Sequence, residues 1–256
     1  MKQIDTIIFG ATALALPIAY SFGERCLVVE RGYSAGAEFV DALVATPTGV
    51  CEPETRLAAR LRDELTESGI LAPDGRIHIL ALGGLLAKHY LETGCHLLLG
   101  TVPVSVNQIS DGFAVELFNP EQGYLSYHAK GVIDTRVHEH MDFEKSFGLL
   151  LCGDSSLKKY DDGVAYLLRG RFDDEFILRL RVGRNATIPE SELATDEYLA
   201  HNRDKLGRAK VAGIALAFGY KFSSPLDIVR DGVRYIPSAA YPDALSAVSG
   251  GERIWL

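Results

Sequence analysis

A short apolar run that ends on a glycine constrains this chain more than any other feature. Ile4–Phe9 has no polar break after Thr6 and is rich in β-branched residues. Such a run reads as a strand buried on both faces, the parallel type. Gly10 ends it, and Ala11–Phe22 follows as an apolar, small-residue segment of helical length. Gly23 closes that segment as a residue just past a helix would. Cys26–Val29 is then a second buried strand with Glu30 at its end, twenty residues after Gly10. The series is a βαβ unit, and a chain that opens this way builds a parallel sheet.

Strand, glycine turn, helix, strand and acid are also the outline of a dinucleotide-binding unit. In that unit a diphosphate sits on the helix N-terminus and the acid reaches a ribose hydroxyl. The fingerprint calls for G-x-G-x-x-G or A, and this chain offers Gly10-Ala11-Thr12-Ala13-Leu14-Ala15. The first glycine and the last small residue are in place. Thr12 stands where a glycine lets the pyrophosphate approach the backbone. Its hydroxyl can bond a phosphate or its side chain can block one, and the sequence leaves both open. Pro17 removes an intrahelical donor and predicts a kink.

Met1-Lys2 before an apolar stretch has the look of a secretory signal peptide. Asp5, Gly10 and Pro17 interrupt that pattern, and Cys26–Val29 continues the βαβ series beyond it. The interior of the cell, the cytoplasm, is the expected compartment. The formal net charge of −8, with no basic run, predicts no nucleic-acid partner. No stretch reaches the length of a membrane span. Cys26, Cys51, Cys95 and Cys152 have neither C-x-x-C nor zinc spacing, so buried or unreactive thiols are expected. His138-Glu139-His140 has the look of a metal string, but it lacks a third ligand and reads as a surface loop, so no metal is expected.

Further along, Pro53–Ser68 is an amphipathic helix with Leu57, Leu61 and Leu65 on one face. Arg76–Leu80 reads as extended, Ala81–Thr93 as a helix despite Gly83 and Gly84, and Cys95–Gly100 as another buried strand. Thr101–Val106, Gly112–Phe118 and Tyr124–Lys130 read as a three-stranded meander, with Gly131–Arg136 as a separate strand after it. Phe147–Leu151, Val164–Leu168 and Phe176–Val182 read as strands of a second, antiparallel layer. Pro189–Ala217 reads as mainly helical.

The loop Glu30-Arg31-Gly32 to Ala35-Gly36, the meander, Val132-Ile133-Asp134-Thr135-Arg136 and the closing Ser249-Gly250-Gly251 stretch resemble FAD-dependent oxidoreductases with two dinucleotide-binding domains. The resemblance is strongest over residues 4–40. It implies an α/β, Rossmann-like FAD/NAD(P)-binding fold with a β-meander and an antiparallel, substrate-type second sheet. The domains it implies are 1–142 with 232–256 for FAD and 143–231 as a cap over the substrate. It implies FAD as cofactor, Gly10, Thr12 and Ala15 at the pyrophosphate, and Glu30 at the ribose. Arg31 and Gly36 would lie near the adenine and diphosphate. Arg136, Ser238, Gly250 and Gly251 would lie at the flavin or substrate end.

Two departures from the family pattern stand out besides Thr12. Arg136 replaces a glycine that passes the nucleotide, and no Gly-Asp precedes the closing stretch, where Ser238 or Asp243 is left to substitute. A second subunit, identical or not, is then expected to complete the flavin end. The implied function is hydride transfer from a small organic molecule to flavin, with no catalytic acid or base identifiable. The alternative is the same fold kept as a non-catalytic subunit or interaction module.

Overall fold

A computed structural model describes residues 2–46 and 55–255. Cys51, Glu52 and Pro53 lie outside the described residues. The chain opens with β1 (Lys2–Phe9), α1 (Ala15–Phe22), a 3-10 turn at Gly23–Arg25 and β2 (Cys26–Val29). A long loop, α2 (Arg56–Glu67) and α3 (Ile79–Glu92) lead to β3 (His96–Leu98). The meander is β4 (Val102–Ile109), β5 (Gly112–Asn119) and β6 (Gly123–Asp134).

The second layer is β7 (Glu144–Cys152), β8 (Tyr160–Asp161), β9 (Ala165–Arg169) and β10 (Glu175–Val182). After α4 (Ile188–His201) and α5 (Arg203–Leu206) it is completed by β11 (Lys210–Ile214) and β12 (Gly219–Lys221). β13 (Ile228–Arg230) and β14 (Val233–Tyr235) return to the first sheet, and α6 (Ala244–Trp255) packs beneath it.

The first sheet runs β13-β14-β6-β1-β2-β3, with β5 and β4 branching from β6. β3, β2, β1, β6 and β14 are mutually parallel. Side-chain alternation explains why β1 and β2 are apolar throughout. Ile8 and Val28 face the helices, while Ile7, Phe9, Leu27 and Val29 face the meander. The register pairs Phe9 with Val29 and Asp134, Val29 with Leu98, and Asp134 with Tyr235. All five parallel strands therefore end level, and the loops that leave them share one edge. Ligands of open α/β sheets bind at that edge. The second sheet is antiparallel, in the order β11-β7-β10-β9-β8, with β12 also on β7.

Several local expectations give way to the tertiary fold. α1 begins only at Ala15, so Pro17 falls in its first turn, where N–H groups have no intrahelical acceptor, and no donor is lost. Ile79 and Leu80 belong to α3 rather than to an extended stretch. The segments read as a meander strand and a following parallel strand are one 12-residue strand, β6, antiparallel to β5 and parallel to β1. β3 is the sheet edge and not a buried strand, with His96 exposed. Lys210–Ile214 is a strand because β7 offers it a partner. No helix among the described residues is long and apolar enough to cross a membrane.

Candidate functional site

At the shared strand edge Gly10 adopts φ +99°, a conformation that side chains disfavour, and its N–H donates to the Val29 carbonyl at 2.8 Å. This turn brings the start of α1 over the end of β2. Glu30 folds back onto it: Oε2 accepts from the Ala11 N–H at 2.9 Å and Oε1 from the Gly32 N–H at 2.8 Å. Thr12 turns its hydroxyl inward, donating to Thr135 Oγ1 at 2.9 Å and accepting from the Ala15 N–H at 3.2 Å. Tyr90, from α3, donates to the Thr12 carbonyl at 2.6 Å.

Glu38 occupies the rest of the α1 N-terminus. Its Oε1 accepts from the Ala13 N–H at 2.9 Å and from the Ser238 hydroxyl at 2.7 Å. Ser238 in turn accepts from the Leu14 N–H at 3.3 Å. The helix end that suits an anion thus holds one of the chain's own carboxyls. Burial pushes that carboxyl up to about 7, against the lowering by Ser238 and the Ala13 N–H. Oε2 of Glu38 is shielded from solvent and has no hydrogen-bond partner among the described residues.

Arg136 is equally committed. Its guanidinium grips Asp134 through Nε at 2.9 Å and Nη2 at 2.7 Å, and lies over the Phe9 ring at 5.0 Å. His138 Nε2 stands 2.9 Å from Oδ2, the oxygen that Nη2 also holds. Burial works to raise the Asp134 pKa, but the hydrogen bonds from Arg136 and His138 and the charge of the guanidinium outweigh it and hold the carboxyl below its ordinary value. His138 and His140 both set their rings against Tyr235. No group of three or more His, Cys, Asp or Glu among the described residues could hold a metal.

Gly10, Thr12, Ala15, Glu30, Arg136 and Ser238 are therefore gathered around one turn. Gly36 joins them, because its N–H donates to the Ala11 carbonyl at 2.8 Å; its φ is +73°, and a β-carbon there would collide with Leu86. Arg31 projects into solvent. Gly250 and Gly251 lie inside α6, where an added β-carbon would collide with Tyr241 and with the Leu14 carbonyl respectively. Gly251 lets α6 approach α1, and Gly250 makes room for the Tyr241 ring. Asp243 caps α6, accepting from the Ser246 N–H at 3.0 Å. Glu38 escaped the sequence reading, although an acid directly after a glycine-bearing loop was its signal.

A cavity of about 380 Å³ lies where the two sheets meet. It runs from Glu38, Ala239 and Ala240 to Tyr166 and Arg179 of the second sheet. Arg179 was also missed. In β10 it shares a face with Glu175, Ile177 and Arg181, and it is only 2% exposed. Its Nη1 donates to the carbonyls of Ala42 and Leu43, and Nη2 to the Ser146 hydroxyl at 2.6 Å. Gly219 leaves room for it, since a β-carbon there would overlap the guanidinium. Among the described residues Nε has no acceptor and no carboxylate pairs with the group. Burial lowers its pKa from the ordinary value.

No protein-family model and no curated protein matches the sequence. Solved structures do match in fold. p-Nitrophenol 4-monooxygenase from Pseudomonas putida aligns with a TM-score of 0.65 at 15% identity, over 98% of this chain and 77% of that one. A myxobacterial chondrochloren halogenase, described as a new variant of FAD-dependent halogenases, gives 0.66 at 13% identity, over 97% and 72%. Glycine oxidase from Geobacillus kaustophilus gives 0.65 at 11% identity, over 98% and 93%. At these identities the likeness concerns the fold. Together with the parallel sheet, the meander and the second antiparallel sheet, it bears out the fold read from the sequence: this chain has the Rossmann-like, two-sheet fold of FAD-dependent oxidoreductases.

Proposed function

We propose that the chain is an FAD-dependent oxidoreductase of a small organic molecule, and that the dinucleotide binds when Glu38 leaves the α1 N-terminus. The observation that carries this reading is the cavity between the sheets, which is joined to the nucleotide turn through Glu38. A concave, largely apolar site with a few converging polar groups, next to such a turn, suits a small-molecule ligand. Glu30 accepts two N–H bonds and keeps lone pairs for ribose hydroxyls. With Glu38 withdrawn, the Ala13 N–H and the Leu14–Ser238 pair become donors for a diphosphate. The residues fit the dinucleotide with that one exchange. Flavin, when bound, supplies the two-electron chemistry, and the chain supplies binding and orientation.

The test is the visible spectrum of wild type and Glu38→Ala after incubation with FAD and gel filtration. Flavin retained by both, roughly tenfold more tightly by Glu38→Ala, is the expected result, because the variant no longer has to vacate the site. If neither protein retains flavin, the reading fails. A second reading then gains ground: a non-catalytic subunit built on this fold. The observation that favours it is the closure of Gly10–Ala15 under the chain's own Glu30, Glu38, Thr12 and Ser238.

A further inference from the structure

We propose that Glu38 is a proton-linked gate on the dinucleotide site: an entering diphosphate displaces its neutral carboxyl, which gives up a proton as the side chain turns into the cavity between the sheets. The inference rests on the cofactor reading above and adds the regulation of that site. In the closed site Oε1 of Glu38 accepts from the Ala13 N–H and the Ser238 hydroxyl, the donors a diphosphate needs, so carboxyl and diphosphate exclude each other. Oε2 is shielded from solvent and has no partner among the described residues. An ionised carboxylate with one oxygen so placed is unfavourable, and the neutral acid is the better occupant.

The groups that face Glu38 push one way in the closed site and the other way outside it. Burial, the largest cause, and the charge of Glu30 hold the closed carboxyl at about 7, against the hydrogen bonds from Ser238 and the Ala13 N–H. From α3 comes Tyr90, a phenol that burial pushes well above its ordinary value. The cavity beside Glu38 is walled by Tyr166 and Arg179 of β9 and β10, by Tyr220 and Lys221 of β12, and by Tyr241. Its cations favour an ionised carboxylate, and its volume of about 380 Å³ is room for the side chain and water. Phenol, ammonium and guanidinium groups ordinarily change charge only above about pH 8. Glu38 and Glu30 are therefore the groups of this junction that can exchange a proton below neutrality, and a variant of Glu38 separates the two.

FAD affinity is measured by calorimetry on the purified full chain from about pH 5 to 8, in buffers of different ionisation enthalpy so that protons are counted. Wild type is expected to bind about tenfold more tightly per pH unit up to about pH 7, with no further gain above it. Near pH 6 it should release about one proton per FAD. Glu38→Gln is expected to show neither trend. A carboxyl that stayed beside the diphosphate would do the opposite, taking up a proton and weakening FAD as pH rises. That sign, a pH-independent affinity, or undiminished release in Glu38→Gln overturns the inference while the cofactor reading stands. If FAD is not bound at any pH, the cofactor reading fails, and ADP, which brings a diphosphate to the same helix end, decides. Proton release on ADP binding to wild type and not to Glu38→Gln supports the gate; no binding, or binding without release, overturns it. If Glu38→Gln does not fold, the sign of proton exchange in wild type decides.

Discussion

Glu38 is the residue whose chemistry is most exposed to test. Its carboxyl is raised from 4.5 to about 7 by burial. Between those values the native protein holds a proton that the unfolded chain has released. The stability from this group is therefore full below about pH 4.5 and is lost as pH rises through about 7. At ~1.4 kcal/mol per unit the loss reaches about 3 kcal/mol, less to the extent that solvent reaches this half-buried side chain. Glu38→Gln keeps an acceptor for the Ala13 N–H and should flatten the slope. Urea unfolding of both proteins from pH 4.5 to 8 measures it, and parallel slopes would refute the assignment. Glu30 makes a second test at the same turn. Glu30→Ala leaves the buried Ala11 N–H without its acceptor and should cost about 1–3 kcal/mol in unfolding without any cofactor. Glu30→Gln should cost less, since an amide oxygen can take over one bond.

Among the elements, α1 and α6 show how composition and contact work together. α1 is made of small and apolar residues because the sheet, α3 and α6 enclose it, and Ala15, Leu16, Ile18 and Ala19 are fully buried. Gly251 allows α6 to approach the Leu14 carbonyl and Pro17. Alanine favours a helix interior over glycine by ~1 kcal/mol. Gly251→Ala should nevertheless destabilise the protein by about 1–3 kcal/mol, because the new methyl has no room. Thermal unfolding checks this, and a stabilised variant would mean that the two helices separate easily. β6 carries the other lesson at this scale. It serves the meander with its first half and the parallel sheet with its second, so an apparent break at Lys130-Gly131 is bridged by pairing on both sides.

For the molecule as a whole, the level ends of the parallel strands set the nucleotide turn beside the second sheet, and the cavity is the gap between them. Arg179 ties the layers together across that gap. Gly219→Ala puts a methyl group where the guanidinium lies. It should lower stability by about 1–3 kcal/mol. Urea unfolding reads the effect, and an unchanged protein would show that Arg179 has other places to go.

The order of elements was legible from residues alone because apolar periodicity and glycine punctuation are local signals. Ile4–Phe9, Gly10, Cys26–Val29 and Glu30 specified a βαβ unit, and alternating runs specified the second sheet. The resemblance to a known fold also marked Gly10, Thr12 and Glu30 as one group, but it put Ser238 at the flavin or substrate end, whereas the structure bonds it to the Leu14 N–H at the same turn. What fills the α1 N-terminus was decided only by tertiary structure. Glu38 and Ser238 are 200 positions apart and meet there because β2, β14 and the loops that follow them end at one edge. Arg136 read as a residue of the flavin or substrate end, yet Asp134, two residues earlier at the end of β6, holds its guanidinium. Arg179 read as one more strand residue, and became a buried, unpaired cation when the second sheet closed over the first. Periodicity shows which side a residue faces; only packing shows what faces it.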